Sequence, residues 1–161
     1  MNIWTNKKID GEIMPNEDLL CGLIQKLDEK GIHKFKINYF HSRVRLQKYV
    51  YLVSYFNDDL NYNFNLYIHG PYSPDLAKDY YHISESECKP REIIIDRSYY
   101  NLVRNRTAKW LEIATTYDYI KNKNIELEKE EIIKYVTMAK ENITYKMINK
   151  ISTELESFIP S

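Results

Sequence analysis

Between Ser42 and Phe56 the chain carries apolar residues on nearly every side of a helix. Leu46, Tyr49, Val50, Val53 and Phe56 form one stripe, and Val44, Tyr51, Leu52 and Tyr55 occupy the other side of the C-terminal half. A helix that is apolar nearly all round must be enclosed by other elements. The spacing therefore predicts a central helix from Ser42, its N-cap, to about Phe56, ended by the turn formers Asn57, Asp58 and Asp59. With 161 residues the chain is long enough to close one core around it. One domain over residues 1–161 is expected, with an extended segment at 1–15 and C-terminal helices at 121–161 packing on the core.

The flanking segments supply the enclosure. Asn16, Glu17 and Asp18 start a first helix carrying Leu20, Leu23, Ile24 and Leu27, and Gly31 stops it. Residues 32–41 read as a short strand or a bridging loop. Tyr62, Phe64, Leu66 and Ile68 alternate with more polar positions, which predicts a strand with one buried face. Ser73 then caps a helix with Pro74 at its first position and Asp75 against the dipole. Glu92–Ile95 reads as a second strand able to pair with the first. A long helix is expected from about Ser98 to Ile120, then helices from Glu130 and from the cap Thr144. The fold class is mainly α, with a small two-stranded hairpin. The order helix, helix, strand, helix, strand is compatible with a winged-helix-like core.

Composition excludes several classes. Only four glycines occur, scattered, so neither a P-loop nor a dinucleotide fingerprint can be built. Two cysteines, 67 positions apart, cannot form a disulfide framework or a four-thiolate zinc site, and Cys21 reads as a core filler. No cofactor and no metal site are expected, and the catalytic motifs of zinc and serine hydrolases are missing. No apolar run is long enough to cross a bilayer or serve as a signal peptide, so a cytoplasmic protein without a membrane partner is expected. In that setting the Asn-x-Thr triplets at Asn105 and Asn142 are not glycosylation sites.

Charge is balanced in sum and segregated along the chain. Lys plus Arg and Asp plus Glu each number 23. Gly31–Phe56 holds five basic residues (Lys34, Lys36, Arg43, Arg45, Lys48) and no acid, whereas Asn57–Pro90 holds two basic and six acidic residues. Arg91–Trp110 returns to five basic, Arg104 and Arg106 among them, against two acidic. Lys34, Lys36, Arg43, Arg45, Lys48, Arg104 and Arg106 are thus the candidate residues for an alternative DNA-binding reading, because Lys and Arg contacts to phosphate dominate nucleic-acid affinity.

The densest constellation is HGPYSPDLAKDYY. A rigid corner between strand and helix presents His69, Gly70, Pro71, Tyr72, Ser73 and Asp75, the candidate partner-binding residues. An acid–base role for His69, Tyr72 and Asp75 is a minor reading with no activating neighbour identifiable from spacing.

Taken together, RVRLQKYVYLVSYF (43–56), LYIHGPYSPDLAKDYY (66–81) and KWLEIATTYDYI (109–120) resemble the YwgA-like group of uncharacterised prokaryotic proteins. More distantly they are similar to the Panacea, or SocA-like, antitoxin domain. The resemblance implies a mostly helical fold with a small hairpin and no known catalytic residue. It also implies that Leu46, Gln47, Lys48, Tyr51, Gly70 and Pro71 hold fold positions rather than active-site ones. The antitoxin-type relatives act through protein contact, sometimes as proteolysis adaptors; this chain carries HGPYS where they carry YGPV. The expected function is accordingly that of a non-enzymatic regulatory module, antitoxin-like or adaptor-like. Its partner would be a protein, either a toxin or a regulatory target. A transcriptional regulator is the alternative. A homodimer through the Ile148–Phe158 face is a further expectation.

Overall fold

A computed structural model describes residues 15–160. The extended segment expected at 1–15 lies outside the described residues but for Pro15, which opens the first helix. Among the described residues the order is α1 (Pro15–Glu29), α2 (Phe40–Val53), β1 (Asn65–Tyr67), β2 (Gly70–Tyr72), α3 (Pro74–Glu85), α4 (Arg97–Val103), α5 (Ala108–Lys123), α6 (Lys129–Ala139) and α7 (Tyr145–Phe158). The chain is mainly helical with one small antiparallel sheet. No described helix is long and apolar enough to cross a membrane.

α2 is the enclosed helix its pattern demands. From Leu46 to Val53 every residue is buried, with α5, β2, α3 and α4 packed around it. Its N-cap is Tyr39, three residues earlier than expected. Ser42 does not cap it; its hydroxyl instead accepts from the Lys36 amide at 2.8 Å and meets His33 Nε2 at 3.1 Å, closing the 32–39 loop. That loop forms no strand. Asn16 is likewise inside α1 rather than its cap, and its amide nitrogen donates to Asn61 O.

The strand pairing differs from expectation. β1 pairs with Gly70–Tyr72 through a two-residue turn at Ile68 and His69, in the register Asn65↔Tyr72, Leu66↔Pro71, Tyr67↔Gly70. Closing a two-residue loop costs less chain entropy than closing one that spans α3. Glu92–Ile95 stays irregular, with Ile93 in the core and Ile94 O accepting from Asn57. The observed order is therefore helix, helix, strand, strand, helix. The expected buried face of the first strand is only half realised: Phe64 and Tyr62 pack on the core, but Leu66 and Ile68 are exposed.

The single long helix expected from Ser98 to Ile120 is broken into α4 and α5. Asn105 turns left-handed at φ 59°, and two residues later Thr107 caps α5 by accepting from the Trp110 amide at 3.0 Å. The same device recurs between α6 and α7, where Asn142 has φ 57° and Thr144 accepts from Met147 N. Both Asn-x-Thr triplets are thus stop-and-restart signals for helices: asparagine tolerates the left-handed region, and threonine satisfies an orphan amide.

α5, α6 and α7 pack on one another, and Ile148, Ile151 and Leu155 of α7 are buried there. That apolar face closes the core, so it is not a surface for a second copy. On the other side, Cys21 of α1 and Cys88 are joined as a disulfide with Cα atoms 6.3 Å apart, which corrects the reading of Cys21 as a core filler. Next to it Gly22 admits the backbone of Arg91, whose carbonyl oxygen would collide with any Cβ at that position; Arg91 N donates to Asp18 O at 3.0 Å.

Candidate functional site

The HGPYS corner is fastened to the domain by four hydrogen bonds, and α2 supplies three of them. Gln47 Nε2 donates to Ser73 O at 3.0 Å, and its Oε1 accepts from Ser73 N at 2.8 Å. One turn of backbone is thereby gripped as a neighbouring strand would grip it. Lys48 Nζ donates to Pro71 O at 2.7 Å. From the end of α6, Lys140 Nζ donates to Ile68 O at 2.6 Å and pairs with Glu112 of α5 at 3.0 Å. Glu112 also lies 3.5 Å from His69 Nδ1.

Lys48 is the unusual member. Its residue is 2% exposed, and burial, ahead of the opposing pull of Glu112 and the push of Lys140, lowers its pKa to about 7. The corner leaves no room beside it. Gly70 sits at φ 92°, and a Cβ there would lie 3.0 Å from Thr116 Oγ1 and 3.3 Å from Lys48 Nζ. Only glycine meets both the backbone angle and the contact. Ser73 caps α3 as expected, accepting from Leu76 N at 3.2 Å.

What this frame displays is apolar. Leu66, Tyr67 and Ile68 are 41%, 51% and 84% exposed, and Phe40 at the start of α2 is 48% exposed. Phe40 meets the His69 ring edge-on at 5.3 Å, and Tyr67 meets Tyr72 likewise at 5.4 Å. Phe40, Val44, Tyr67, Ile68, His69 and Tyr72 line a cleft of about 240 Å³ that reaches the buried Gln47–Lys48 pair. Lys36 and Arg43 lie over the rings of Tyr39 and Phe40 on its basic margin.

His69, Tyr72 and Asp75 do not assemble into an acid–base group. His69 is directed at Glu112, Tyr72 lies against Tyr67, and Asp75 is exposed in the first turn of α3. His82 contacts Glu17 of α1, away from His69. No cluster of three His, Cys, Asp or Glu residues suited to a metal ion occurs among the described residues.

The cations grouped by sequence are dispersed into structural roles. Lys48 is internal. Arg45 donates to Tyr49 Oη and to Arg106 O at 2.6 Å. Arg106 lies 4.1 Å over the Trp110 ring and pairs with Glu154 at 3.3 Å, and Arg104 donates to Lys30 O. Arg43 donates to Ile37 O while remaining half-exposed, and Lys34 and Lys36 are exposed.

Phe40, Val44, Lys140 and Glu112 were not among the sequence candidates. Lys140 and Glu112 carry no local signal, since each belongs to an ordinary amphipathic helix and reaches the corner only through packing. Comparison with protein-family models, curated proteins and solved structures finds no match to this chain.

Proposed function

We propose that the protein is a non-catalytic regulatory module of the cytoplasm, antitoxin-like or adaptor-like, that holds a protein partner on its HGPYS corner. The observation that carries this reading is the exposed apolar tip, Leu66–Ile68 with Phe40, on a frame hydrogen-bonded at four points. An apolar patch held rigid loses little entropy on binding, and aromatic anchors at pockets dominate interface energies. The resemblance of the LQK and HGPYS motifs to the YwgA-like group and the SocA-like antitoxins supports the same class.

The chemistry of the cleft selects its occupant: an apolar side chain for the cleft, flanked by carboxylates. Arg43, half-exposed, lies over the Phe40 ring at the cleft and supplies the positive charge there. Affinity capture with the intact chain as bait is expected to yield a defined partner bearing such a segment. Ile68→Glu and Phe40→Ala should lose it, and Lys150→Ala on α7 should keep it. Retention by both corner variants, or steeply salt-dependent capture of duplex DNA in its place, overturns the proposal; phosphate contacts would cost about 0.9 log unit of affinity per phosphate per log unit of salt.

A further inference from the structure

Further along α2 from the HGPYS corner, towards the C-terminal end of the helix, lies a larger cleft, of about 450 Å³, between the C-terminal half of α2, the Leu60–Phe64 segment and the end of α5. Five aromatic side chains line it: Tyr51, Tyr55, Tyr62, Phe64 and Tyr119. Tyr51 and Phe64 meet edge to face at 5.2 Å.

Behind this aromatic wall sits Asp118, 4% exposed. Tyr51 Oη donates to its Oδ2 at 2.8 Å, Tyr55 Oη donates to both oxygens at 2.9 and 2.7 Å, and Asn122 Nδ2 donates to Oδ2 at 3.1 Å. None of the ion pairs among the described residues includes Asp118. A buried carboxylate is ordinarily balanced by a cation as well as by hydrogen bonds. Here the hydrogen bonds come from three neutral side chains, and two of them, Tyr51 and Tyr55, also line the cleft. Donation to a carboxylate also makes each phenol ring a richer π-face.

We propose that this cleft binds a methylated ammonium group. Aromatic faces attract such cations through the ring quadrupole. A methylated ammonium needs few hydrogen-bond acceptors, and the oxygens of Asp118 are already taken. A primary ammonium would demand three. The volume lies within the usual range for small-ligand sites. On the Leu60–Phe64 wall Tyr62 Oη donates to Asp79 Oδ2 at 2.6 Å, which sets a second carboxylate behind a ring of the cleft. Lys123, also at the cleft with Nζ 5.6 Å from the Tyr119 ring centroid, competes for the same face.

Titration of the intact chain by calorimetry or amide chemical shifts tests this with choline, Nε-trimethyllysine and the neutral choline isostere 3,3-dimethylbutan-1-ol. Choline or trimethyllysine should bind at least about ten-fold more tightly than the isostere, and whichever of the two is tighter tells a free metabolite from a side chain. Lys123→Ala should tighten binding about two- to five-fold by removing the competing charge. Asp118→Asn, or Tyr119→Ala should Asp118→Asn fail to fold, should reduce the preference over the isostere to near unity. Equal binding of cation and isostere, or no binding of either cation, overturns the proposal.

Discussion

Gln47 and Ser73 exchange two hydrogen bonds, side-chain amide to backbone amide, at 2.8 and 3.0 Å, with both residues fully buried. That clamp explains why an LQK helix and a GPYS turn occur in one chain. The helix carries the donor and acceptor that the irregular turn cannot supply to itself. Gln47→Ala would strand the Ser73 N–H, whereas Ser73 O would keep the bond it accepts from Ala77 N at 3.1 Å. A loss of about 1–3 kcal/mol is expected for the one unsatisfied group. Urea unfolding of the two proteins measures it, and a loss under about 0.5 kcal/mol would mean the turn is held by packing alone.

Lys48 gives the fold a pH dependence of definite sign. Its pKa falls from the ordinary 10.5 to about 7 in the folded state. Between those values the unfolded chain holds a proton that the folded chain lacks, so stability rises with pH across the window. The slope is at most about 1.4 kcal/mol per pH unit. Denaturant midpoints from pH 7 to 9.5 should climb in the wild type and stay flatter in Lys48→Met. Above that range the buried tyrosines Tyr51, Tyr62 and Tyr99, whose pKa values burial raises, impose the opposite slope.

The breaks before α5 and α7 can be tested one residue at a time. Thr107→Ala and Thr144→Ala should each cost about 1 kcal/mol as lost N-caps. Asn105→Gly should be neutral or slightly stabilising, because Asn105 already sits at φ 59°, whereas Asn105→Ala should cost about 1 kcal/mol. Thermal melts of the four variants would show whether residues 104–107 separate two helices in solution or belong to one.

The Ser86–Asp96 segment is held against α1 by Cys21–Cys88 and by the close approach at Gly22. Reduction with dithiothreitol should lower stability by about 2–4 kcal/mol, in line with a long closed loop. Gly22→Ala, with or without reductant, should break the Arg91 N to Asp18 O bond and speed hydrogen exchange at the Arg91 amide. Mass spectrometry after alkylation under non-reducing conditions gives the state of the thiols directly: in the reducing cytoplasm proposed for this protein both are expected free, and the bond closes on oxidation.

Local sequence was enough to establish a helical protein around α2, the cap at Ser73 and the amphipathic faces of α1 and α7. These follow from periodicities of three to four residues and from side chains that bond to their own next turn. The disulfide could not be read that way, because it depends on which distant surfaces meet once the core closes. The break at Asn105 and the partner of β1 carried local signals, an Asn-x-Thr triplet and a two-residue turn, that hydrophobic periodicity does not weigh. Lys48 shows the difference most plainly. In sequence it is one of five cations without an acid nearby, which suggests a surface for phosphate. In the fold its helix is wrapped on all sides, so its ammonium is spent on Pro71 O and holds the corner from within. The alternation of Tyr62, Phe64, Leu66 and Ile68 likewise promised one buried face. Tertiary packing buried only the first half, because β1 turns back on β2 before reaching the core. The remaining apolar side chains became the surface on which the proposed function rests.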